Sequence, residues 1–310
     1  MKKCVSIGGQ ALIEGIMMKG PEKTVMAVRG KDKEIIVEEL TEKSLTKKYK
    51  ALNLPIIRGV INFVEAMIFG YKALMRSAEL SGFADLEEET KLDEKKQSTL
   101  MNLLMIVASV LGVGLALVLF MFLPAFLFNL LNGALSGTIT GFRALFEGIL
   151  KIIIFLVYII LVSRTPDIKR VFMYHGAEHK TIFCYENGLE LTVENIKPQS
   201  RFHPRCGTSF MVVMLIVGIL ITFLVQTLFP FVTKIIWLWV AIKILILPII
   251  CGVGYEVIKF CGRHDNAFVR ILSAPGLWMQ RITTVEPTDD MIEIAIASVK
   301  PVLPEGKEQC

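Results

Sequence analysis

At 310 residues, 53% hydrophobic and 20% charged, with a mean hydropathy of +0.57, the chain is too apolar for an ordinary soluble domain and excludes disordered and fibrous classes. The net charge of +5 is the remainder of 34 basic and 29 acidic side chains, and no basic stripe alternates with aromatics as nucleic-acid binding requires. The six cysteines form no C-x-x-C pair and the opening residues lack a signal-peptide apolar run, so reduced thiols are expected.

Residues 1–98 read as a cytoplasmic α+β segment. GGQALIEGIMMKGP reads as a Gly-rich loop that lacks the G-K-[ST] of a phosphate loop, with Gln10 and Glu14 available to a shared pocket. TVMAVRG, the turn KDK and EIIVEEL read as a two-stranded hairpin, which needs a covering surface. The stretch from Ile56 to Phe83 supplies one, with Ile57, Ile61, Val64, Ile68, Tyr71 and Met75 at helical period. That period fits equally a helix lying on a membrane. DLEEETKLDEKK reads as a solvated charge run.

Residues 99–258 read as a transmembrane domain. Residues 97–142 and 206–233 carry no formal charge, runs longer than a buried core helix needs. Four spans of about 20 residues, each crossing about 30 Å of hydrocarbon, are expected near 101–124, 145–163, 208–229 and 235–256. Glu147 and Lys151 stand at i and i+4 in the second span and read as a snorkelling ion pair. Lys243 lies about two turns inside the fourth, where an unpaired ammonium costs several kcal/mol. Residues 1–100 hold 17 Lys and Arg, residues 164–208 hold seven and residues 259–310 hold six, whereas the opposite loops hold only Arg143 and Lys234. Both termini and the loop 164–207 are therefore expected in the cytoplasm of a multi-pass protein of the cell membrane.

Three of the four histidines, His175, His179 and His203, fall in that loop. His175 and His179 share a face if the segment is helical, and HGAEH satisfies H-x-x-E-H, in which the histidines bind zinc and the glutamate, here Glu178, acts as base. A third ligand is needed. His203 in RFHPRCGTSF is the natural one, Glu186 is a substitute, and Cys206 at H-x-x-C spacing would close a four-ligand structural site. Glu256 at the end of the fourth span reads as an outer partner or a plain interfacial acid, and Lys180, Arg201 or Arg205 could stabilise a developing anion.

Residues 259–310 read as a compact helical tail. Pro275 and Gly276 are expected to break it, Asp265 beside His264 reads as a cap, and Pro287 opens a last helix with Thr288, Asp289 and Asp290 in its first turn.

With GGQALIEGIMMKGP, HGAEHKTIFCYE, HPRCGTSF and QRITTVEPTDDMIEIAI in view, the sequence resembles the YqhQ-like bacterial membrane proteins, the domain of unknown function 1385 family, over nearly its full length. The family is labelled as predicted metal-dependent enzymes. The resemblance implies a metal at His175, His179 and His203, with Glu178 supporting or catalytic.

The expectation is thus a mainly α-helical polytopic membrane protein with about four transmembrane helices and a small α+β cytoplasmic portion. Its function is expected to be hydrolysis with a divalent metal, zinc by ligand type, on a peptide or a lipid-linked ester or phosphate. The rival is a membrane scaffold or transporter component with a structural metal, in which Lys243, Glu147 and Glu256 line a path that an oligomer could complete.

Overall fold

The structure is a computed structural model and describes residues 7–41, 45, 49–83, 107–204, 206–261, 264 and 266–304. Arg205, Asp265, the charge run at 85–96, the start of the first expected span, Cys4 and Cys310 lie outside the described residues.

The opening glycine-rich segment is not a loop. It folds into strands β1 (Gly8–Leu12) and β2 (Gly15–Lys19), which join β3 (Thr24–Arg29) and β4 (Ile35–Leu40) in an antiparallel sheet of order β1-β2-β3-β4. Leu12 pairs with Gly15 across a two-residue turn whose second residue, Glu14, takes φ 51°. Arg170 holds the Glu14 carboxylate in a two-pronged ion pair, and the Tyr174 hydroxyl donates to it at 3.1 Å. Tertiary contacts thus secure a turn that lacks the usual Asn-Gly signal.

Side-chain alternation gives the sheet two apolar faces. Ile16, Met18, Val25 and Ala27 point to one, where Tyr174, Ala177, Met291, Ile292 and Ala295 cover them. Leu12, Met17, Met26 and Val28 point to the other and meet Ala73. The covers are α1 (Ile57–Leu80) on the second face and two helices, α4 (Pro166–Glu186) and α9 (Asp289–Val299), on the first. Residues from the beginning, middle and end of the sequence therefore share one core.

Helix α1 forms over the expected stretch, but its apolar stripe is not the face that packs. Its buried face is the small one, Gly59, Gly70, Ala73, Ser77 and Ala78, while Ile57, Val64, Ile68 and Tyr71 are exposed. Small residues let α1 approach Gln10 of β1 at Gly70 and α7 (Ile236–Cys261) at Gly59, where a Cβ would lie 2.9 Å from the Gly252 Cα. The large stripe is left for an apolar surround.

Among the described residues, four helices are long and apolar enough to cross a membrane: α2 (Val107–Ala134), α3 with its preceding turn (Thr140–Val162), α6 in its part Met211–Leu228, and α7. Complete α3 runs Arg143–Val162 and complete α6 runs Gly207–Leu228. Helix α2 contains a π turn at Val118–Phe122. Gln226 of α6 starts α3, accepting the Ala144 amide at 2.8 Å and donating to the Thr140 and Gly141 carbonyls. The short helix α5 (Val193–Ile196) follows α4, and α8 (Ala267–Thr283) runs unbroken through Pro275, against expectation.

Glu147 is not paired with Lys151 in a snorkelling contact. Its buried carboxylate accepts from Arg143 Nε at 2.9 Å, from the Trp239 indole at 3.0 and 3.1 Å, and from the Lys243 ammonium. Arg143 also donates to the Thr233 carbonyl at 2.5 Å, so the group ties α3, α7 and the turn before α7. Lys243 is therefore a counter-ion in a packed knot. Glu147→Gln should leave two buried cations without an acid and cost about 3–5 kcal/mol. Thermal melting in detergent is expected to show that loss, whereas Lys151→Met, which removes no hydrogen bond seen among the described residues, should leave the midpoint nearly unchanged.

Candidate functional site

Helix α4 starts after Thr165 with Pro166 at its first position, where a missing amide costs nothing. It carries His175, Glu178, His179 and Lys180 through the protein, and all but His175 are buried. The helical expectation for HGAEH holds: the two imidazoles lie edge to face with centroids 4.4 Å apart.

Each ring is oriented by a main-chain carbonyl. His175 Nδ1 donates to the Thr283 carbonyl at 2.8 Å, at the end of α8, and His179 Nδ1 donates to the Arg201 carbonyl at 2.6 Å. A carbonyl can only accept, so both Nδ1 atoms carry the proton, and it is Nε2 that each ring has available as a ligand atom. His175 Nε2 stands 3.1 Å from Cys206 Sγ, and His179 also lies in hydrogen-bonding reach of that sulfur. The ligand atoms of His175, His179 and Cys206 all lie within 4.8 Å of one another.

Cys206 is placed by its own helix. It is the N-cap of α6, and its sulfur accepts the Thr208 amide at 3.4 Å. Gln280 of α8 fixes the preceding turn, accepting the His203 amide at 2.8 Å and donating to the His203 carbonyl at 2.7 Å. The buried His203 ring stacks edge-on with Phe183 and turns Nε2 to Glu186 at 3.3 Å, with its centroid 5.7 Å from that of His179. His203 and Glu186 thus form a flanking pair, and Cys206 takes the place beside the first two histidines.

The Glu178 carboxyl lies against β1 at Gly9, within electrostatic reach of His175 and His203. A Cβ on Gly9 would come within 3.1 Å of its carboxyl carbon, so the missing side chain makes room for the acid. Burial raises the Glu178 pKa, opposed by the nearby His175 and His203 rings and by the Gly9 amide, which donates to it. Burial likewise lowers the pKa of His179, opposed by Cys206 and the Arg201 carbonyl, and so favours the neutral ring.

Of the proposed anion-stabilising residues, the two described ones, Lys180 and Arg201, are committed elsewhere. Lys180 donates to the Lys197 carbonyl at 2.7 Å and pairs with Glu286, which also lies 3.6 Å from Arg201. Glu256 is not brought to the histidines: Arg58 of α1 grips it with two bonds of 2.7 and 2.5 Å on α7. Gly9, Gln280, Thr283 and Glu286 were not read from the sequence as site residues, although the last three border or lie in QRITTVEP. Backbone acceptors such as Thr283 leave no residue-type signal.

The chain belongs to the family described as "Protein of unknown function (DUF1385)", whose model matches residues 54–305. It is 38% identical over 299 residues to a Bacillus subtilis (strain 168) protein named "Uncharacterized protein YqhQ", a match that covers 96% of this chain and 92% of that one. Neither description names a reaction or a metal. No solved structure matches.

Gly176, between the two histidines, lies against the Val285 carbonyl, with no space for a Cβ. Val285 in turn donates to the Phe172 carbonyl at 2.9 Å. Gly176→Ala should push this extended segment and the Thr283 carbonyl off α4 at a cost of about 1–3 kcal/mol. The expected readout is a lower melting temperature, with Gly133→Ala, where a Cβ meets nothing within 4 Å, as the unaffected control.

Proposed function

We propose that the chain is a multi-pass membrane protein in which His175, His179 and Cys206 hold a divalent cation, zinc by their chemistry, for hydrolysis at the membrane surface. One observation carries the metal: two Nε2 atoms and a sulfur converge. A thiol has one proton and can satisfy at most one of the two nitrogens, whereas a cation satisfies all three atoms. Two nitrogens and one sulfur suit zinc, and carbonyls on the opposite ring nitrogens are the usual support of metal-bound imidazoles.

Three protein ligands leave a coordination position open, as in catalytic zinc sites. A cation there would lower the pKa of water to near neutrality. His175 and Cys206 are partly exposed, so the trio has an open side, and His179 closes the inner one. Glu178 is the proton acceptor in this reading, because its burial favours holding a proton. His203 and Glu186 brace the neighbouring wall. Lys180 and Arg201 brace Glu286, so their charge reaches a developing anion only if Glu286 gives way. Substrates of the chemistry a hydrolytic metal handles are a peptide or a lipid-linked ester or phosphate.

The membrane part rests on the four long apolar helices, and the bias of Lys and Arg supports termini on the cytoplasmic side of the cell membrane.

Metal analysis of protein purified from membranes tests the site. About one equivalent of zinc is expected, with affinity falling at least ~100-fold in His175→Ala, His179→Ala and Cys206→Ala. His203→Ala and Glu178→Gln should keep the ion, and Glu178→Gln should lose hydrolysis of whichever ester, phosphate or peptide the wild type cleaves. Unchanged metal in His175→Ala sinks the site. Unfolding of the ligand variants with no effect of Glu178→Gln makes the metal structural instead.

A further inference from the structure

A cavity of about 450 Å³ lies among the long helices, away from the histidines. That volume is within the range of about 300–1,000 Å³ usual for small-ligand sites. Its walls are apolar, including Phe63 and Met67 of α1, Phe155 of α3, and Leu215 of α6. Phe120 and Met121, from the π turn of α2, complete one side, and such turns recur at functional positions.

Two ammonium groups line this otherwise greasy space, Lys151 and Lys243, and no acid does. Lys243 is answered by Glu147. Lys151 takes no hydrogen bond or ion pair among the described residues, and Arg143 of the adjoining knot keeps a buried Nη2 with no partner. Arg143, Lys151 and Lys243 against Glu147 leave an excess of two positive charges in the most apolar part of the molecule. Buried charge without a counter-ion is costly, and the missing partner must be an anion that tolerates apolar walls.

We infer that the cavity binds a long-chain carboxylate, with its head at Lys151 and Lys243 and its acyl chain along the wall of α6 toward Phe63, Met67 and Met211. Lys151 is the cavity-lining ammonium without an acid partner among the described residues, and a carboxylate at the end of an acyl chain places one small polar end beside it and apolar length along the remaining walls. The inference rests on the four helices lying in a bilayer and does not depend on the metal. Recovery of the chain in carbonate-washed membranes tests the bilayer placement separately.

Trp239 reports on the head position, since its ring centre lies 4.8 Å from the Lys243 ammonium. In a Trp237→Phe, Trp278→Phe background purified in detergent, stearic acid bearing a nitroxide at its fifth carbon should quench Trp239 saturably. The methyl ester of the same probe should bind about tenfold more weakly, the factor expected for losing a charge-assisted hydrogen bond. Lys151→Met should bring the acid down to the level of the ester. Gly218→Leu should weaken both, because a Cβ there meets only Ile250, at 3.7 Å, and the larger side chain enters the cavity. Equal quenching by acid and ester, or acid binding unchanged in Lys151→Met, overturns the assignment of the cations. Quenching unchanged in Gly218→Leu overturns the cavity as the place of binding.

Discussion

Two main-chain carbonyls, those of Thr283 and Arg201, decide what the histidines can do. Each takes the Nδ1 proton of one ring and so turns the opposite nitrogen toward Cys206. Neither carbonyl belongs to α4. One ends α8 and the other lies in the turn before α6, and Gln280 locks these two segments together through both backbone groups of His203. Convergence of the three ligand atoms therefore requires that the tail and the middle segment are already docked, which makes site assembly part of folding.

The sheet enforces the same docking from the other side. Met291, Ile292 and Ala295 of α9 and Tyr174 and Ala177 of α4 bury one apolar face of β2 and β3, so the tail cannot leave without exposing that face. Lys180, pinned between the Lys197 carbonyl and Glu286, links the segments once more, and burial makes its loss expensive. Gly9 completes the arrangement because the Glu178 carboxyl occupies the room a side chain would take.

Periodicity made the helical HGAEH and the long apolar helices legible, since both depend only on local spacing. The sheet was half legible: β3 and β4 are strand-forming runs joined by an ordinary turn, whereas β1 and β2 turn at Ile13 and Glu14, held by Arg170 from far along the chain. The stripe on α1 was legible as a stripe, but its period left open whether it packs or faces outward, and in the structure the small residues pack while the large ones face outward. Cys206 was read as a fourth ligand to His203. Which of the two reaches the first histidines depends on the turn at Pro204 and on Gln280, neither of which spacing encodes. Proline at 275 fails to break α8 for a similar reason, since packing against α6 outweighs one lost amide bond.

Helix α6 connects the two regions where the chain concentrates unusual chemistry. Its N-cap is Cys206, and its following turns present Met211, Met214, Leu215 and Gly218 to the cavity that Lys151 and Lys243 line. A helix rises about 1.5 Å per residue and moves as a rod over a few turns, so a shift of α6 that widens or narrows the cavity also moves the sulfur relative to two imidazoles carried by α4. Ligand distances at a metal tolerate only about 0.2 Å, far less than a helix shift at a packed interface, which runs to about 1–2 Å. In the proposed reading, a ligand in the cavity and a cation at Cys206 would both bear on one element, and the direction of any linkage would follow from which position of α6 each occupant prefers.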